Sequence, residues 1–202
     1  MIRLALVAAL LAAPAAFATP YNIDSAHSSA NFTVKHMMVS KVNGHFKSVK
    51  GTVDLDEAAP ESSSVNAEID ASSIDTGNAG RDGHLKSPDF FDTAKFPTIT
   101  FKSKKVTSSG AGKYAVIGDL TMHGVTKEVT LDVEGFDHAQ AMETPKGTVT
   151  KRGGTGTTTI NRKDFGLGWN KALDKGGVAV SDEVKVTLDL EIDAKGAEKA
   201  AK

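Results

Sequence analysis

The 202-residue chain contains no cysteine. That absence removes disulfide staples, thiolate metal sites, cysteine nucleophiles and the lipid-modified cysteine of a bacterial lipoprotein. An oxidising compartment would leave such a chain untouched. Long apolar runs are also scarce: one lies near the N-terminus, and nothing else approaches the roughly 20 apolar residues that a membrane-spanning helix needs. Nor does one sign of charge dominate, since 24 Lys and Arg oppose 25 Asp and Glu. The two signs are interleaved rather than blocked, which points away from nucleic acid and from a polybasic membrane anchor. Signatures of catalysis are equally thin. There is no G-x-S-x-G elbow, and Asp164-Phe165-Gly166 imitates a kinase triplet without the glycine-rich loop or H-R-D segment that would give it meaning. The six histidines, His27, His36, His45, His84, His123 and His138, have neither the i, i+4 helical spacing of a zincin nor a Cys partner, so no metal site is assigned.

What is present begins with a leader. Arg3 precedes an apolar run from Leu4 to Ala13, and Ala16-Phe17-Ala18 offers a small-x-small cleavage site, so residues 1–18 read as a cleaved signal peptide. Export to the periplasm follows as the expectation. Removing eighteen residues from 202 leaves 184, a length suited to one domain with a sizeable core. That domain is placed at residues 19–193, with a flexible tail over 194–202.

Period-two alternation dominates the mature chain. Val184, Val186, Leu188, Leu190 and Ile192 interleave with Lys185, Thr187, Asp189 and Glu191, giving a strand with one dry face and one wet one. Residues 129–133 and 49–55 repeat the pattern, and five weaker runs, including the Thr- and Gly-rich stretch from Gly154 to Asn161, bring the expected strands to eight. His123-Gly124 falls where a two-residue hairpin needs positive φ. Residues 72–96 interrupt the alternation with capping residues Asp75, Thr76 and Asn78 before Pro88, predicting a short helix across an opening. A second break at 163–181 predicts one helical turn near Asn170 to Asp174. Alternation alone does not distinguish a closed barrel from two stacked sheets.

Several blocks of sequence then carry a resemblance. They are Tyr21-Asn22-Ile23-Asp24-Ser25-Ala26-His27-Ser28, Phe32-Thr33-Val34-Lys35-His36-Met37, Gly44-His45-Phe46, Arg81-Asp82-Gly83-His84-Leu85, Ser87-Pro88-Asp89-Phe90-Phe91-Asp92, Gly118-Asp119-Leu120-Thr121-Met122-His123-Gly124 and Ile160-Asn161-Arg162-Lys163-Asp164-Phe165-Gly166. Together they resemble the YceI-like family over Tyr21 to about Ile192. The resemblance implies an all-β, eight-stranded antiparallel up-and-down (lipocalin-like) barrel with one or two short helices. It also implies an elongated apolar cavity for a polyisoprenoid lipid such as a prenyl pyrophosphate or an isoprenoid quinone, and no established enzyme activity. Residues 137–153 match no block of that pattern.

Read onto such a barrel, the inward side chains are Phe32, Val34, Phe46, Val53, Ile69, Ile99, Phe101, Val116, Leu120, Leu131, Val133, Ile160, Phe165, Trp169, Val186 and Leu188. Taken singly, each is explained by core packing; only a shared cavity would make a ligand site of them. Small residues at Gly118, Gly154 and Gly156 mark bends or spare room. Arg81, Asp82 and His84 are candidates to meet a lipid head group at the mouth, with His36, Asn161, Arg162 and Asp164 behind them. Apart from a bound isoprenoid lipid, no cofactor is expected. The expected partners are that lipid and, transiently, the membrane that loads it; a homodimer stays open. The alternative is an enzyme acting on a lipid through Arg81, Asp82 and His84, and a third class is a structural barrel that is merely packed.

Overall fold

In a computed structural model, residues 18–145, 147–174 and 176–195 are described. Most of the proposed leader and residues 196–202 lie outside them. Alternation is resolved by closure: dry faces that would otherwise meet water turn inward around one axis.

Twelve strands are present: β1 (Thr19–Ile23), β2 (Ser29–His36), β3 (Ser40–Phe46), β4 (Val49–Leu55), β5 (Ser64–Asp70), β6 (Ile74–Asp75), β7 (Thr98–Gly110), β8 (Lys113–Met122), β9 (Val125–Gly135), β10 (Gln140–Thr144), β11 (Gly147–Asn161) and β12 (Val180–Lys195). Eight of them form an antiparallel ring in the order β1, β4, β5, β7, β8, β9, β11, β12, closed by the pairing of β12 with β1. The expected eight-stranded barrel is therefore present, with one change of membership. β2, expected as a wall strand, hangs on the same edge of β12 as β1: β1 pairs at Asp193 and Ile192, β2 between Asp189 and Val180. β3 and β6 continue outward from β2.

The β11–β12 ladder is the longest, running from Val149↔Lys195 to Asn161↔Glu183. β12 thus reaches two residues into the tail expected to begin at Ala194, and Ala194 is buried. β10 and the start of β11 form a hairpin where residues 137–153 carried no legible pattern. On its other edge β11 pairs with β9 only from Gly154 to Thr157.

The predicted hairpin at 123–124 is present. His123 (φ 52°) and Gly124 (φ 75°) both take positive φ, as a type I′ turn requires, and a Cβ at Gly124 would lie 2.6 Å from the Phe96 ring. The predicted helix is α1 (Ala79–Lys86), capped by the Asn78 carboxamide accepting from Arg81 N–H. The turn expected near 170–174 is not helical. A 3-10 turn at Arg162–Phe165 comes earlier, and Ala172 forms a bridge with Val178 instead.

Candidate functional site

The alternate, inward positions of the ring strands converge on the barrel axis, where they leave a cavity of about 180 Å³. Of the predicted inward residues, Phe32, Phe46, Val53, Ile69, Ile99, Phe101, Val116, Leu120, Leu131, Val133, Ile160, Val186 and Leu188 line it. Along β4 the lining extends from Val49 to Leu55, roughly 20 Å of strand. Polar groups on the wall are few: Asn31, Ser63, Thr100, Thr158 and Tyr114. An apolar space of about this size stays dry and accepts a single aromatic ring. It is hollow, but narrower than a whole prenyl tail, so a longer guest must displace the rings that project into it, those of Phe32, Phe46, Phe101 and Phe136.

Three predicted lining residues lie elsewhere. Val34 sits on β2 beyond the ring and does not reach the cavity. Phe165 is buried at 2% exposure in the apolar cluster that includes Leu167 and Met122. Trp169 stacks outside, its ring 5.0 Å from that of His84 and 5.2 Å from that of Phe90. Conversely, Ile23, Val106, Val129, Phe136 and Leu190 line the cavity although they were not singled out. For Leu190 the signal was available, since it continues the alternation of Val186 and Leu188.

Glycine and aromatic positions shape this space. A Cβ at Gly118 would lie 2.5 Å from the Phe101 ring, and one at Gly154 would lie 2.3 Å from the Phe136 ring; both glycines are roofed by phenylalanine. Gly156 differs. The nearest atoms to a Cβ there are 3.7 Å away, on Leu188 and Val133, so the spare room expected along this strand is at Gly156.

The polar candidates do not converge. Arg81 donates from Nε to Thr76 Oγ1 (2.7 Å) and from Nη2 to the Thr76 carbonyl (2.9 Å). Asp82 Oδ1 accepts from Thr76 N–H and its hydroxyl. His84 Nε2 lies 2.8 Å from Asp89 Oδ2. Asn161 caps the 3-10 turn through Lys163 N–H, and Asp164 is exposed. His36 is exposed at the end of β2, not inward, because the strand has by then left the ring and its inward face no longer has an interior. Arg162, 4% exposed, is spent on the backbone: it donates to the carbonyls of Leu167, Trp169 (2.9 Å) and Ser181 (2.9 Å), with Asp182 Oδ1 at 3.5 Å.

The closed ring and its apolar lumen have counterparts among known proteins. Residues 21–192 match the YceI-like domain. The chain belongs to the YceI-like family. It is 42% identical over 173 residues to the UPF0312 protein SA2479 of Staphylococcus aureus (strain N315), covering 86% of this chain and 96% of that protein. Among solved structures it resembles BcnA of Burkholderia cenocepacia, with a TM-score of 0.70 and 28% identity over 84% of this chain and 98% of the other. It also shares its fold with a polyisoprenoid binding domain from Saccharophagus degradans, with a TM-score of 0.59 and 20% identity over 86% and 98% of the two chains.

One polar cluster of this YceI-like barrel escaped the sequence reading. Asp24, His27 and Glu191 bring three potential ligand atoms within 4.8 Å of one another, across the turn between β1 and β2 and onto β12. A cation already sits among them: Lys151 Nζ is 3.0 Å from Asp24 and 2.6 Å from Glu191. The His27 hydrogen bond, then that of Lys151, holds the Asp24 carboxyl well below the usual carboxylate range, and Asp24 in turn raises the His27 pKa. The histidine scan missed it because the spacing was sought along a helix, whereas these residues meet across strands.

Proposed function

We propose that the protein takes up a long-chain isoprenoid lipid, a prenyl pyrophosphate or an isoprenoid quinone, into the barrel interior and acts as a periplasmic carrier, store or sensor. The observation that carries this reading is the apolar cavity along the axis, walled by side chains from every strand of the ring. The Saccharophagus neighbour adds support by the ligand class in its name. Transfer from a bilayer into such a lumen is apolar to apolar, so the hydrophobic terms largely cancel and loading and release stay close to balance. Selectivity then comes from the length and width of the lumen, set by which phenylalanine rings can swing aside, more than from polar contacts. Binding without turnover completes the reading: Arg81 and Asp82 are both engaged by Thr76 and His84 by Asp89, and none of the three lines the lumen. Transient contact with the donor membrane belongs to the same reading.

Mass spectrometry of protein extracted natively from its own host tests it. The expected result is an isoprenoid that survives incubation chemically unchanged. Repeated recovery of an empty barrel, or of small polar molecules alone, overturns the carrier reading, and a chemically altered lipid overturns the absence of turnover.

A further inference from the structure

The hairpin joining β2 to β3 has a composition that its backbone does not favour. His36 O accepts from Val39 N–H at 3.1 Å, closing a tight turn in which Met37 (φ 52°) and Met38 (φ 61°) both occupy the left-handed region. Turns of this kind draw Asn and Gly, because a Cβ crowds the backbone there. Here two long apolar side chains stand in their place. They are also exposed: Met37 is 41%, Met38 48% and Val39 86% accessible, three of the four large apolar residues so exposed among the described residues. The tip is held in place, since Met37 N–H donates to the Ala179 carbonyl at 2.8 Å and Met38 packs beside Gly177.

Charge on the two strands of this hairpin is one-sided, with lysines and no carboxylate. Lys35 and Lys41 are directly opposed across the β2–β3 ladder, and both are exposed. Like charges in that arrangement repel. Neither ammonium has an ion-pair partner among the described residues, unlike Lys47, Lys50, Lys104 and Lys113, each of which pairs with a carboxylate. An apolar point flanked by uncompensated lysines matches the interface of a bilayer: acyl chains accept the methionines and valine, while anionic headgroups satisfy the lysines.

We propose that the Met37-Met38-Val39 tip docks onto a bilayer that carries anionic phospholipid, with Lys35 and Lys41 at headgroup level. The purpose of the contact rests on the carrier reading, since the same hairpin brings Phe32, a cavity-lining ring on β2, to within a few residues of the membrane.

Co-sedimentation of the full mature chain with phosphatidylglycerol-containing vesicles, against pure phosphatidylcholine vesicles, tests the docking. The expected result is association with the anionic vesicles that weakens with salt. The M37N/M38G variant supplies the residues the turn prefers, so it should fold at least as stably while losing association. K35Q/K41Q should weaken association roughly tenfold to thirtyfold. M142S, altering the exposed methionine of β10, which extends from the other end of the barrel, should change nothing. Equal sedimentation of wild type with both vesicle types overturns the proposal, as does full retention of binding by folded M37N/M38G. Native lipid extraction is read separately: a barrel lacking isoprenoid that still sediments through its tip removes the carrier reading and leaves the docking intact.

Discussion

Arg152 and Arg162 stand ten residues apart toward opposite ends of β11, 6% and 4% exposed, and they are held in unlike ways. At one end, Arg152 donates from Nε to the Tyr21 hydroxyl (3.0 Å) and from Nη1 to the Phe136 carbonyl (2.7 Å), and it pairs with the exposed Glu57. At the other, Arg162 gathers carbonyls from the loop after β11 and from the start of β12. The first guanidinium ties strand to strand. The second replaces regular structure, since the described residues of 166–179 form neither helix nor long strand to pair their own backbone. Between them on the same face lie Gly154, Gly156, Thr158 and Ile160, the least bulky stretch of the wall. The strand is charged and pinned at its ends and small in its middle. A buried arginine in this fold is thus a sign of local architecture before it is a sign of an anionic ligand.

The difference can be broken experimentally. Arg162→Leu strands several buried carbonyls and leaves Asp182 with Lys163 alone, so a loss of about 3–5 kcal/mol is expected in urea unfolding. Arg162→Lys should recover little of it, because one ammonium does not span the fork of acceptors. Arg152→Met should cost less, about 1–3 kcal/mol, because Glu57 reaches water once released. Equal losses at the two sites would remove the distinction. Midway along the strand, Gly156→Ala should stabilise by about 0.5–1 kcal/mol, its new methyl meeting Leu188 and Val133 at ordinary contact distance; a destabilised variant would show that the space is needed by the backbone itself.

The smallest effect is one of slope. His27 has a raised pKa in the fold, so its contribution is fully present below its unfolded value and fades as pH rises through the folded one. His27→Gln should therefore flatten the fall in stability above about pH 6.5, with a smaller effect on unfolding at about pH 9 than at about pH 5. The Asp24 carboxyl runs the other way: its pKa is depressed, so its contribution holds above the unfolded value and is lost only under strong acid. Unfolding midpoints of wild type and variant across pH 5 to 9 would check the first sign, and those of the wild type from pH 5 down to about pH 2 the second.

All the ring strands except the short β1 were legible because each buries one face only. Val184 to Ile192 and Val49 to Leu55 alternate for that reason. β10 was not legible for the converse reason: Gln140 to Glu143 are all exposed, so this strand has no dry face to reveal. His36 and Val34 failed similarly, because alternation gives the side of a strand but not where the strand leaves the barrel. Most of the cavity wall therefore followed from parity, while Trp169 and Phe165, on irregular backbone, had no period to place them. Arg162 was offered as a head-group candidate because the sequence could not reveal that its acceptors are carbonyls of its own chain.

β12 serves two masters on one edge, β1 for two residues and β2 for most of the remainder. Closure of the barrel is secured by the first contact alone. The second is free of that duty and sets instead the tilt of its hairpin and of the Phe32 ring it carries, so the bore of the vessel depends on a strand that its seal does not.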